Sequence, residues 1–176
     1  KYLLNKDTLY YSLYVLMANR WGGGETLDEG FTWDEGIWWN HMTALAGYTR
    51  PAVAEETADT AAFRDHARQN LAVVESWVRA HPDTAVDIFF PPHSILFWDK
   101  TARLGQTDAM LAALGQACGT LLNYDNVKLY GFLMDREIVE NLDNYCDYVH
   151  HSGGVCRQGL AKMAAGEDRP PAENPE

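Results

Sequence analysis

Apolar residues along positions 57–80 recur at three- and four-residue steps, placing Phe63, Ala67, Leu71, Val74 and Val78 on one stripe. That spacing predicts a long amphipathic helix, stopped at His81-Pro82. The next stretch, Ala85-Val86-Asp87-Ile88-Phe89-Phe90, is short, β-branched and aromatic, and lies between Pro82-Asp83 and Pro91-Pro92. It predicts a strand buried on most of its surface, with Phe89, Phe90 and the following Trp98 in the core and a helix from about Ile95. Thr107 is placed to cap another helix, with Met110, Leu111, Leu114, Cys118 and Leu121 on its stripe and Asp108 favouring its dipole. Asn123-Tyr124-Asp125-Asn126 reads as a turn, and Val127-Lys128-Leu129-Tyr130-Gly131-Phe132 alternates as a second strand. Residues 135–140 read as a short helix, and Ser152 is placed to cap a last helix bearing Val155, Leu160 and Met163.

The ends of the chain pattern differently. Leu9, Leu13 and Leu16 predict an amphipathic helix within residues 1–20, capped by Asp7 or Thr8 and ended by Trp21-Gly22-Gly23-Gly24. The triple glycine has no following Lys-Ser or Lys-Thr, so it reads as a turn and not as a phosphate loop. Residues 167–176 are charged and proline-rich without apolar periodicity, which predicts a disordered tail.

Helix, strand, helix, helix, strand, helix is the order of an α/β layer architecture with a mostly parallel sheet, here as a single domain over residues 1–166. Only two strands are legible, whereas a stable sheet normally takes three or more. The expectation is therefore that N-terminal strands lie upstream of Lys1 and that the chain is a fragment or processed product.

Composition narrows the partners. The chain has 176 residues, 47% hydrophobic, enough for one substantial core. Its 14 basic and 25 acidic residues give a net charge of −11, which opposes attraction to nucleic acid phosphates or anionic lipid. No run of about 18 apolar residues is present to cross a bilayer. Cys118, Cys146 and Cys156 fit neither a disulfide scaffold nor a zinc ribbon, although a Cys146–Cys156 bridge is open to an exported protein.

The candidate chemistry centres on Leu142-Asp143-Asn144-Tyr145-Cys146-Asp147-Tyr148-Val149-His150-His151-Ser152. In a compact turn, Asp147 three residues before His150 can orient and polarise the imidazole as the acid and base of a hydrolytic triad do; the alternative is an ordinary polar loop. Pro91-Pro92-His93-Ser94 follows the first strand, and in an open parallel sheet ligands bind beyond the carboxyl ends of the strands. Both loops are thus expected at one crevice, with His93 and Ser94 toward substrate. Ser94 is also the one internal serine to weigh as a nucleophile, though it lacks a Gly-x-Ser-x-Gly elbow. Ser152 is better explained as a helix cap. Tyr145 and Tyr148 either line the pocket or pack over it. A metal site from Cys146, Asp147, His150 and His151 is the weaker idea, because adjacent histidines rarely face one cation, and no metal or cofactor is expected.

Residues 25–50 gather Phe31, Trp33, Trp38, Trp39 and Tyr48 among Asp28, Glu29, Asp34, Glu35, Asn40 and His41. Aromatic faces beside amides and carboxylates suit sugar rings; the same rings also serve to cover a core beneath a long loop.

The block Phe89-Phe90-Pro91-Pro92-His93-Ser94-Ile95-Leu96-Phe97-Trp98, followed by Asn141-Leu142-Asp143-Asn144-Tyr145-Cys146-Asp147-Tyr148-Val149-His150, resembles the C-terminal part of bacterial SGNH/GDSL-hydrolase-like envelope proteins. Lys1-Tyr2-Leu3-Leu4-Asn5-Lys6-Asp7 resembles a middle segment of such chains. The resemblance implies a flavodoxin-like three-layer α/β/α fold and esterase or acyltransferase activity on lipids, glycans or cell-wall polymers, at the cell envelope or outside the cell. It implies that Asp147 and His150 are the family's Asp-x-x-His pair, with an ester-bearing glycan or small acyl compound as substrate. The family's Gly-Asp-Ser nucleophile block, its oxyanion-hole glycine and its Gly-x-Asn-Asp block have no counterpart here, so those roles fall on no residue of this chain. The alternative reading is a non-catalytic carbohydrate-binding or assembly module, with Trp38 and Trp39 as its contacts. Oligomeric state is left open by the sequence.

Overall fold

The computed structural model describes residues 36–167 together with Leu13, Tyr14, Leu16, Met17 and Arg20, which are helical. Most of the expected N-terminal helix, the Trp21-Gly22-Gly23-Gly24 turn, Phe31, Trp33 and the tail from Asp168 lie outside the described residues. The chain divides into two compact units, Lys1–Ile37 and Trp38–Glu176. The second unit carries every element below.

Its elements run α1 (His41–Ala46), α2 (Thr60–Ala80), β1 (Val86–Phe90), α3 (Ile95–Arg103), α4 (Thr107–Leu121), β2 (Val127–Gly131), α5 (Arg136–Val139) and α6 (Gly153–Ala165). Short 3-10 turns at Phe132–Met134 and Leu142–Asn144 flank α5. This is a mixed α/β arrangement. Among the described residues its sheet has two strands, β1 and β2, paired in parallel from Val86 opposite Val127 to Phe90 opposite Gly131.

The Asp59 carboxylate caps α2 by accepting the N–H groups of Ala61 and Ala62, so the helix starts at Thr60, three residues later than the apolar stripe suggests. The C-terminal part of the predicted stripe packs: Val78 is buried and Leu71 lies against the core, whereas Val74 is 38% exposed. Val78 of α2 and Leu121 of α4 close with Val127 and Leu129 of β2 into the core, joined by Leu71, Val86, Ile88, Cys118 and Tyr124. Fully burying an aliphatic side chain such as Val78, Leu121 or Leu129 contributes about 1.5–3 kcal/mol.

The expectation that β1 is buried on most of its surface does not hold. Asp87 is exposed and Phe89 is 48% exposed, because only the Val86 and Ile88 face of the strand meets the core. Phe89 contacts Phe132 in a tilted ring pair at 6.3 Å. Phe132 is itself buried against α6, where a side chain at Gly159 would begin 3.5 Å from its ring. Alternation also overran β2 by one residue, since Phe132 opens the 3-10 turn.

Two helix starts differ from the sequence expectation, that of α4 by one residue and that of α6 in its capping chemistry. Gln106, and not Thr107, occupies the N-cap of α4, and the Thr107 hydroxyl oxygen is buried without a hydrogen-bond partner. Ser152 stands at the N-cap of α6, but its side chain makes no capping bond. Between α3 and α4, Gly105 has φ +65°, and a Cβ there would meet the Glu56 carbonyl oxygen at 2.7 Å. Only glycine fits this position, which lets Arg103 and Gly105 carbonyls accept the Ala54 and Ala58 N–H groups and pin the 54–58 segment.

Candidate active site

Residues 141–152 form a closed loop held by its own backbone. Asn141 Oδ1 accepts the Asp143 N–H, the Ser152 N–H reaches Asn144 O at 2.8 Å, and the Cys146 N–H reaches His150 O. Tyr145 and His151 form an antiparallel bridge across its neck. Inside that neck, Asp147 Oδ1 accepts the backbone N–H groups of both Val149 and His150 at 2.7 Å. Its Oδ2 lies 2.7 Å from His150 Nδ1. The spacing in the sequence therefore works through the backbone. An Asx turn fixes the carboxylate, and the carboxylate fixes the ring.

With the carboxylate ionised, Nδ1–H is the donor to Asp147, and in the neutral ring Nε2 carries the lone pair, on an exposed side chain with no partner among the described residues. Burial raises the Asp147 pKa, but the ring and backbone hydrogen bonds outweigh it and hold the carboxyl below its ordinary value. An ionised carboxylate on one ring nitrogen and a free base on the other are the two conditions for proton abstraction by imidazole.

The loop after β1 is bonded directly to this one. Tyr145 is fully buried and its hydroxyl donates to Pro92 O at 2.7 Å, with burial raising the phenol's pKa. Ser94 is also fully buried, and its hydroxyl donates to Tyr148 O at 2.7 Å. His93 lies against the Phe97 ring at 4.4 Å. Burial lowers its pKa, the Val149 backbone opposes this, and His151 and His150 lower it further; its Nδ1 is buried without a partner. The loop after β1 and the 141–152 loop are thus bonded to one another.

Ser94 is nevertheless not presented to a reactant. With no exposed surface and its proton committed to a carbonyl, it ties the loops together, which corrects its placement as a nucleophile or substrate contact. Of the two tyrosines, Tyr145 packs. Tyr148 is partly buried, its ring 6.1 Å from Tyr48 and its hydroxyl 3.1 Å from Lys100 Nζ, which also lies over the ring. Tyr48 donates to Asp99, and Arg50 grips the same carboxylate with two N–H groups. Arg50 first and Tyr48 next hold Asp99 down to about 2.

A second aspartate–histidine pair escaped the sequence reading. His41 Nδ1 lies 2.7 Å from Asp143 Oδ1, and the same oxygen accepts the His41 backbone N–H at 2.9 Å. These bonds, the backbone one first, keep the Asp143 pKa low. The partners stand 102 positions apart, so no local spacing announces them. The one visible signal was Asn40, which caps α1 through the Thr43 N–H and sets His41 at its first turn.

Trp38 is 76% exposed and Trp39 is partly buried, both just before α1. Cys118, Cys146 and Cys156 are not joined to one another by a disulfide. No group of three or more His, Cys, Asp or Glu side chains among the described residues is placed to hold a metal ion. No described helix is long and apolar enough to cross a membrane. An apolar cavity of about 320 Å³ lies elsewhere, lined by Ile95, Trp98, Leu111, Leu133 and Met134 among others, and neither Asp147 nor His150 borders it. The chain matches no family model, no curated protein and no solved structure.

Proposed function

We propose that this chain carries the acid–base half of an SGNH-type serine esterase or acyltransferase acting on an ester-bearing glycan at the cell envelope or outside the cell. The observation that carries the reading is the Asp147–His150 pair, its tautomer set by a 2.7 Å contact and its Nε2 left open. In this mechanism His150 removes the proton of an attacking serine hydroxyl and returns it to the leaving alcohol. Asp147 holds the ring and stabilises the imidazolium, without taking the proton itself. The serine lies outside residues 1–176, and the parallel pair β1–β2 belongs to a flavodoxin-like three-layer sheet. Loops from both strands meeting at the dyad support that placement, because ligands in such sheets bind beyond the strand carboxyl ends.

The test is hydrolysis of an aryl acetate and of an O-acetylated glycan by the full-length protein that contains this chain. His150→Ala is expected to lower turnover by several powers of ten. Unchanged turnover would sink the assignment.

A further inference from the structure

We propose that Trp38, His41 and Asp143 form a subsite for neutral sugar units of a glycan chain. Its position beside the dyad rests on the functional reading above; the subsite itself rests on its own residues. Trp38 is 76% exposed, so an indole face stands in solvent just ahead of α1. Such a face stacks on the C–H surface of a pyranose.

Three residues on stands His41, whose side chain and that of its partner Asp143 are both more than half exposed. Asp143 Oδ1 already takes the His41 Nδ1 and backbone N–H bonds, which fixes the ring. Asp143 Oδ2 and His41 Nε2 have no partners among the described residues. Together they present a carboxylate acceptor and a ring nitrogen, matching a sugar hydroxyl that both donates and accepts. As a stabilising device the ring contact is weak, because exposed ion pairs contribute little and the backbone N–H bond already anchors α1 to the 141–144 turn.

The geometry also relates this subsite to the dyad. His41 opens α1, and Gly47 closes it at a point where a Cβ would lie 3.9 Å from Asp147 Cβ. At about 1.5 Å per residue, the helix separates the two aspartate–histidine pairs by on the order of 10 Å, the span of a disaccharide. The Asp143 carboxylate and the net charge of −11 disfavour an anionic ligand, so glycans bearing uronic acid or phosphate fit poorly.

Calorimetric titration of the intact chain with soluble neutral hexasaccharides of glucose, mannose and N-acetylglucosamine tests this. Saturable binding to one of them is expected, weakened about tenfold by Trp38→Ala and by the isosteric Asp143→Asn, and largely kept by Trp38→Phe. Circular dichroism of each variant checks that the fold is intact. Absence of saturable binding to all of them, or affinity unchanged from the parent in Trp38→Ala and Asp143→Asn, overturns the subsite. Binding that depends on Trp38 and Asp143, with ester turnover indifferent to His150→Ala, keeps the subsite and removes the esterase reading. The reverse pattern removes the subsite and keeps the esterase.

Discussion

His150 Nδ1 sits 2.7 Å from Asp147 Oδ2, while the other oxygen of the same carboxylate accepts the His150 backbone N–H. One aspartate therefore sets both the rotation of the ring and the backbone that carries it. Asp147→Asn keeps the shape but offers an amide N–H to the ring, favouring the tautomer with its proton on Nε2. Under the proposed mechanism, kcat for ester turnover is expected to fall on the order of ten-thousandfold, with the fold retained. Steady-state kinetics with an aryl acetate, beside a thermal melt, checks it. A variant within tenfold of the parent rate shows that the pair is not the working base.

Tyr145 carries the second connection. Its hydroxyl is fully buried and donates to Pro92 O, so Tyr145→Phe leaves that carbonyl without its partner. A loss of about 1–3 kcal/mol in unfolding free energy is expected by urea denaturation at neutral pH. The pH dependence has a definite sign. Burial raises the folded pKa above the ordinary phenol value, so the neutral form's stabilisation is complete below pH about 10 and is lost as pH rises through the folded pKa. Tyr145→Phe should flatten that alkaline limb.

What the sequence revealed divides by distance along the chain. The apolar stripes of α2 and α4 were legible because each repeats within one helix, and Asp147 with His150 because an Asx turn joins them within four residues. The burial of β1 was not, since β-branched and aromatic content reports strand propensity but not how many neighbours cover each face. Ser94 was misplaced for a related reason. A hydroxyl in a strand-end loop looks reactive until its partner is known, and here that partner is a backbone carbonyl 54 positions away. His41 and Asp143 met the same obstacle from the other side, as residues whose chemistry exists only in contact.

Asp99 should dominate acid sensitivity around Tyr48. Its pKa is depressed to about 2, first by Arg50 and then by the Tyr48 hydroxyl, so the folded state binds fewer protons than the unfolded chain. The contribution is present above the unfolded value of about 4 and disappears as pH falls toward 2. Asp99→Asn is expected to abolish this portion of the stability profile and leave the neutral-to-alkaline portion parallel to that of the parent. Urea midpoints measured from pH 2 to pH 7 read it directly; parallel profiles over the whole acid range would show that Arg50 and Tyr48 do not govern the carboxylate.

Ser94→Ala separates two roles that a serine in this loop can have. If the hydroxyl attacked a substrate, its removal would cost as much turnover as losing His150. The geometry predicts otherwise, because the oxygen has no exposed surface and its proton is held by Tyr148 O at 2.7 Å. The lost hydrogen bond leaves the part-buried Tyr148 carbonyl without its partner, so a destabilisation of about 1 kcal/mol is expected. Turnover should change less than tenfold, through a slackened link between the β1 loop and the segment carrying His150. A thermal melt and ester kinetics on the same variant give opposite patterns for the two roles: lowered stability with retained rate for a tie, and retained stability with abolished rate for a nucleophile.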